Sequence, residues 1–99
     1  MARLDVYQAG RTDQGYLLDV QADALYRLTT RVVVPLILAN ADEAASELSP
    51  TFVVEGRKVV MLTPTLFVVA RSALRRPIAS LLAFHDAVTR ALDTLFLGL

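Results

Sequence analysis

Three side chains in this sequence have the types that cleave a phosphodiester bond: His85, Asp23 and Arg31. A ribonuclease needs a general base, a general acid and a cation that holds the phosphate. These residues lie far apart in the chain, and nothing in their spacing brings them together. A histidine on an apolar stripe is more often a packed or interface residue than a general base, and Asp86 is the neighbour that could assist it. We therefore predict a protein that is not an enzyme and needs no cofactor.

The composition argues against several other kinds of site. The chain has no cysteine and one histidine, which leaves no disulfide, no thiol chemistry and effectively no His/Cys zinc site. Ten Lys and Arg balance ten Asp and Glu, whereas a general binder of nucleic acid needs a basic surplus. The longest apolar run, Val32 to Ala39, is far shorter than the roughly 20 residues of a membrane helix. No secretory signal is evident, so we predict a soluble, cytoplasmic protein.

A chain of 99 residues is long enough for one small core, and we predict a single domain over residues 1–99. Hydrophobic residues make up 55% of the sequence, above the usual ~45–50%. Two interpretations of this surplus stay open: a dense core, or an apolar surface that a second subunit covers.

The first two thirds of the chain has the pattern of β-strands. Period-two alternation and β-branched runs predict strands at residues 4–8, 16–21, 31–38, 51–55, 57–63 and 66–70. Glycines at both ends of residues 10–15 predict a turn, and Glu55-Gly56 predicts a hairpin. Pro35 lacks an N–H to donate, so we expect it to mark an edge or a break. A capping pattern at Asn40–Glu43 predicts a short helix that ends before Pro50.

The pattern changes period at Pro77, a residue that suits a first helical turn. Apolar positions then step by three or four along one helical face: Ile78, Leu81, His85, Val88, Leu92, Leu95 and Leu99. Strands followed by one C-terminal helix predict a small α+β domain. Four of the last five residues are large and apolar, unlike the usual polar terminus, so the protein's own core, a twin subunit or a partner must cover them. Gly98 suits a cap after the helix.

Four short motifs carry a family resemblance: Asp-Val-Gln-Ala-Asp at 19–23, Arg-Val-Val-Val-Pro-Leu at 31–36, Met-Leu-Thr-Pro at 61–64 and Phe-Leu-Gly-Leu at 96–99. In their order and positions, over essentially the whole chain, the sequence resembles the CcdB toxins. The resemblance implies a homodimer with a small SH3-like antiparallel β-barrel and a C-terminal helix.

It also implies the activity and the partners. CcdB toxins bind the A subunit of DNA gyrase and trap its cleaved-DNA complex. A CcdA-like antitoxin neutralises them through a disordered segment and recruits them as co-repressors, so that DNA is contacted only through the antitoxin.

The family's gyrase contacts come from the helix end and a loop after the second strand. The corresponding positions here are Ala24, Leu25, Asp93, Phe96, Leu97, Gly98 and Leu99. Leu97 stands where a well-known member has a tryptophan that packs on a gyrase arginine. Leucine keeps some burial but lacks the aromatic face, a loss of ~0.5–2 kcal/mol in cation–π attraction.

Arg71, Arg75 and Arg76 form a basic cluster before the predicted helix, where positive charge does not stabilise a helix. The cluster is either a solvated loop or a docking site for the acidic antitoxin segment. Two alternatives to a gyrase poison remain. One is a remnant that dimerises and binds antitoxin only. The other is a ribonuclease like the MazF toxins, which share the fold.

Overall fold

The computed structural model describes residues 2–10, 15–40 and 44–98. Within these ranges the strands and the α-helix are β1 (Asp5–Gln8), β2 (Tyr16–Asp19), β3 (Thr30–Leu38), β4 (Thr51–Val54), β5 (Arg57–Met61), β6 (Phe67–Ala70), β7 (Ala79–Ser80) and α1 (His85–Leu97). The strands form an antiparallel sheet in the order β4-β5-β3-β2-β1-β7, and β6 pairs with β3. The sheet is barrel-like and nearly closed, so the predicted α+β class is confirmed.

Both predicted hairpins are confirmed. β1 pairs with β2 in antiparallel register, while residues 11–14 of the predicted turn lie outside the described residues. β4 and β5 are joined by Glu55 and Gly56, whose φ angles are 51° and 75°. Two successive positive φ angles are typical of the tight turn whose twist matches that of a hairpin.

The prediction that Pro35 marks an edge or a break is confirmed only in its second part. β3 lies inside the sheet and runs through this residue, so Pro35 marks no edge, but the pairing on one side of β3 breaks there. One side of β3 pairs with β2 along residues 33–36. The other side is shared, with residues 30–33 on β6 and residues 36–38 on β5. Pro35 falls in the gap between these two ladders, where the missing N–H is not needed on that side.

The predicted helix before Pro50 was also wrong for the residues that can be judged. Residues 41–43 lie outside the described residues, and residues 44–49 are not helical. The backbone N–H of Ser46 donates to the carbonyl of Ser49 at 3.2 Å, and the Ser49 N–H donates to Ser46 Oγ at 3.0 Å. These local serine bonds give the backbone an alternative to helical pairing.

The C-terminal helix is confirmed, but it begins at His85 and not at Pro77. The intervening segment is extended: β7 pairs with β1, the Ile78 N–H donates to the Val6 carbonyl at 2.8 Å, and the Leu81 N–H donates to the Leu4 carbonyl at 2.9 Å. Sheet pairing therefore buries these apolar residues without a helix. A spacing of three or four does not distinguish the two arrangements over so short a run.

The main core lies between the sheet and α1. It combines inward-facing residues of the first five strands with Leu81, Val88 and Ala91. Val88 and Ala91 are three apart, so they face the sheet together, and Leu92 packs beside them. A smaller cluster of Tyr7, Val33 and Leu74 lies apart from this core. No helix in the described ranges is long and apolar enough to span a membrane.

Candidate functional site

The end of α1 presents apolar side chains to solvent. Phe96 is 67% exposed and Leu97 is 64% exposed. Asp93 lies three and four residues before them, so the three side chains share one exposed side of the helix. The described residues of the protein's own core therefore do not cover this end.

Gly98 ends the helix as the sequence predicted. It adopts the left-handed conformation, with φ 69° and ψ 24°, and its N–H donates to the Thr94 carbonyl at 3.1 Å. This is the usual conformation of a residue that terminates a helix. Leu99 lies outside the described residues.

The other predicted gyrase contacts, Ala24 and Leu25, lie on a 3₁₀ turn, Asp23–Leu25, between β2 and β3. All residues from 22 to 30 are exposed, and we call residues 22–29 the turn loop. Leu25 is 48% exposed, so an apolar contact here is geometrically available.

A buried polar network lies beneath the turn loop, and its role was not predicted. Arg31, which is 1% exposed, donates from Nε and Nη2 to Asp19 Oδ2 at 2.9 and 2.6 Å. Asp19 Oδ1 accepts the Gln21 backbone N–H at 3.0 Å. Its residues lie in the motifs at 19–23 and 31–36, whose sequences alone do not indicate a buried ion pair.

The pKa of Asp19 is raised above its ordinary value because burial disfavours the charged carboxylate. The hydrogen bonds from Arg31 and Gln21 act in the opposite direction. Arg31 satisfies the carboxylate here and is not available to an outside ligand.

The three arginines of the basic cluster do not act together. Arg71 Nη1 donates to the Tyr26 carbonyl at 2.8 Å, so this side chain is directed to the turn loop. Arg75 and Arg76 instead line a cleft of about 400 Å³ with Tyr7, Gln8, Gly10 and Ala73. These two arginines form no ion pair within the described residues.

Tyr7 lines that cleft and has a buried polar group without a partner in the described residues. Its side chain is buried and its hydroxyl has no hydrogen-bond partner among the described residues. Burial raises the pKa of Tyr7, the charges of Asp5 and Asp19 raise it further, and Arg31 lowers it. The two arginines that line the cleft are suited to an anionic partner, to which their guanidinium groups can donate.

The three residues considered for phosphodiester cleavage have other roles in the structure. Arg31 is buried on Asp19, and Asp23 Oδ1 accepts the Arg3 backbone N–H at 2.7 Å. His85 is exposed at the start of α1, with Nδ1 3.5 Å from Asp86 Oδ1. The phosphate-binding cation of the ribonuclease hypothesis is therefore unavailable.

A model of one protein family, described as the CcdB protein, matches residues 3–98 of the chain. The search of curated proteins found no match to the chain.

Proposed function

The chain belongs to the CcdB family, and from that premise we propose that it is a gyrase poison that binds the A subunit and traps the cleaved-DNA complex. Membership of this family indicates a toxin of a toxin–antitoxin system. We propose that the protein acts by binding and not as an enzyme.

The observation that carries the proposal is the exposed apolar end of α1. Phe96 and Leu97 are each about two thirds exposed, and burying such side chains on a partner is favourable by roughly 25 cal/mol per Å². A toxin that binds one conformation of gyrase preferentially shifts gyrase towards it. This mechanism requires no catalytic group on the toxin.

We propose that the protein acts as a homodimer. Ile37 lies opposite Val60, Val60 lies opposite Thr51, and Val53 is two residues from Thr51. Ile37 and Val53 therefore share one face of the sheet, and both are exposed. A second copy of the chain would cover this surface, and sedimentation equilibrium measures the association directly.

For the antitoxin, the cleft of Tyr7, Arg75 and Arg76 supports a narrower proposal than the three-arginine cluster. Its two unpaired arginines favour an acidic peptide segment. The Arg75→Ala/Arg76→Ala variant should weaken antitoxin binding and reduce its salt dependence, whereas Arg71→Ala should not. Equal affinity of the double variant and the unaltered protein at every salt concentration would contradict the proposal.

We further propose co-repression through the antitoxin and action in the cytoplasm.

The decisive experiment is a gyrase cleavage assay with supercoiled plasmid, ATP and the purified protein. We expect linear DNA after detergent and protease treatment. Leu97→Ala should reduce it, and Leu82→Ala is the matched control because Leu82 is an equally exposed leucine away from the helix end. No linear DNA at micromolar protein, with antitoxin binding intact, would instead support the remnant. Cleavage of RNA that is lost on substitution of His85 would support the ribonuclease.

A further inference from the structure

The turn loop has no buried side chain of its own that could fix its shape. Residues 22–29 are all exposed, including the apolar side chains of Leu25, Tyr26 and Leu28. Its internal backbone bonds are short-range, such as that from the Leu28 N–H to the Leu25 carbonyl at 3.1 Å. Few buried contacts and exposed hydrogen bonds are typical of segments that open easily. Something outside the loop must therefore hold it.

Gln21 supplies the buried part of that support. Its side chain is 6% exposed, and Oε1 accepts the Val32 backbone N–H of β3 at 3.1 Å. Nε2 of the same amide donates to the Leu25 carbonyl at 3.2 Å. The backbone N–H of Gln21 donates to Asp19, which Arg31 holds. The side chain thus connects the loop to the sheet through two partly buried bonds, and the backbone bond to Asp19 is fully buried.

Arg71 supplies a second support from a different strand connection. Its backbone N–H donates to the Thr29 carbonyl at 2.8 Å, while its guanidinium donates to the Tyr26 carbonyl at 2.8 Å. Arg71 directly follows β6, which pairs with the first half of β3. Gln21, which directly precedes the loop, and Arg71, which is 45 residues from Tyr26, therefore bind the carbonyl groups of residues 25, 26 and 29.

We propose that Gln21 and Arg71 are positioning residues that hold Ala24 and Leu25 in the conformation that contacts gyrase. This inference rests on the proposed function. It assigns to Arg71 a role in the gyrase surface and not in antitoxin docking.

The test compares three variants by amide hydrogen exchange of Leu25, Tyr26 and Leu28, and by affinity for the gyrase A subunit. Arg71→Ala removes the guanidinium but keeps the backbone bond to Thr29. Arg75→Ala is its matched control, an exposed arginine in the same segment with no bond to the loop in the described residues. Gln21→Glu keeps an acceptor for Val32 and replaces the donor to Leu25 with a charge that repels the carbonyl.

In Arg71→Ala, we expect the loop amides to exchange faster and the affinity for gyrase to fall about threefold. The thermal unfolding midpoint of this variant should equal that of Arg75→Ala. Arg71→Lys should restore part of both. Gln21→Glu should lose roughly tenfold in affinity, because the lost bond is partly buried and the new charge faces the Leu25 carbonyl.

Equal loop exchange in Arg71→Ala and Arg75→Ala overturns the positioning role. Faster exchange with unchanged gyrase affinity overturns the link to binding. If the unaltered protein does not bind gyrase, the proposed function fails and the functional half of this inference fails with it. Hydrogen exchange then still decides whether the two side chains hold the loop.

Discussion

The turn loop and the end of helix α1 both present exposed leucines, yet the protein holds these two segments by different means. The turn loop depends on side chains from other elements, with Gln21 and Arg71 gripping its carbonyl groups. The helix end depends on its own backbone, with the Gly98 N–H closing on the Thr94 carbonyl. The conformation of the turn loop depends on side chains that lie outside it, one of them 45 residues away in sequence, whereas the helix end follows local helix rules.

This difference predicts where changes will spread. A substitution beneath the turn loop should alter both stability and binding, because the same buried groups serve both. A substitution at the helix end should alter binding alone, since Phe96 and Leu97 contribute little to the core. Each of the following predictions tests that separation.

The largest expected effect is that of Arg31→Ala. Removing the guanidinium leaves the buried Asp19 carboxylate without its partner, which should lower the free energy of unfolding by about 3–5 kcal/mol. The loss should be smaller near pH 4 than at pH 7, because burial raises the pKa of Asp19 and a protonated carboxyl needs no cation. Urea denaturation at both pH values measures it.

Arg90→Ala is the control on the helix side, since Arg90 is exposed on α1. Its change should stay within about 0.5 kcal/mol. A loss below about 1 kcal/mol in Arg31→Ala would mean that the buried pair does not support the loop.

Next in size is the effect of Leu97→Trp on binding. A tryptophan at this exposed position adds apolar area and an aromatic face for a gyrase cation, so affinity should rise roughly tenfold. The unfolding free energy should not change. Leu82→Trp, an equally exposed leucine elsewhere, should leave gyrase affinity unaltered. Weaker binding by Leu97→Trp, measured by calorimetry, would contradict the apolar docking of the helix end.

The same division explains which features the sequence could predict. The hairpin at Glu55-Gly56 and the cap at Gly98 were predicted, because each follows from a few adjacent residues. A break at Pro35 was predicted, but its form could not be inferred, because it depends on how β5 and β6 share one side of β3. The helix start was wrong for a similar reason, since pairing of β7 with β1 is non-local.

The features of the candidate site also divide into those that the sequence could predict and those that it could not. The apolar character of Phe96 and Leu97 was evident in the sequence, but the sequence left open whether the protein's own core covers them. The separation of Arg71 from Arg75 and Arg76 could not be predicted, because adjacency in sequence says nothing about which carbonyl a long side chain reaches. Neither could the contact between Gln21 and Leu25, which requires the fold of the loop itself.

A smaller effect is expected when alanine replaces two matched glycines. Gly56 and Gly98 both have positive φ, 75° and 69°, and a Cβ at either would meet nothing within 4 Å. Gly56 is fixed between two paired strands, so Gly56→Ala should cost about 1 kcal/mol of stability and leave gyrase affinity unchanged. Gly98→Ala can relax by fraying, so it should cost less stability but weaken gyrase binding. The reverse pattern would mean that the helix end is held from outside.

The smallest expected effect is a loss of stability that is absent at neutral pH and develops only at alkaline pH. Burial raises the pKa of Tyr7 and of Tyr16 above 10.0, and the hydrogen bond to Glu55 adds to the shift at Tyr16. In the unfolded chain these phenols ionise near their ordinary value, so above pH 10 the folded state binds more protons. Stability should therefore be fully present below pH 10 and fall as pH rises through the raised pKa values.

The charges of Asp19 and Arg31, beneath the turn loop, shift the pKa of Tyr7, whereas the helix end has no tyrosine. Tyr7→Phe should make the alkaline fall shallower in urea titrations from pH 8 to 11, an interval chosen to bracket the ordinary phenol pKa of about 10. Tyr26→Phe, which changes an exposed ring, is the control and should leave the slope as it is. An unchanged slope in Tyr7→Phe would mean that this phenol does not contribute to the alkaline loss, and that the support of the turn loop is insensitive to it.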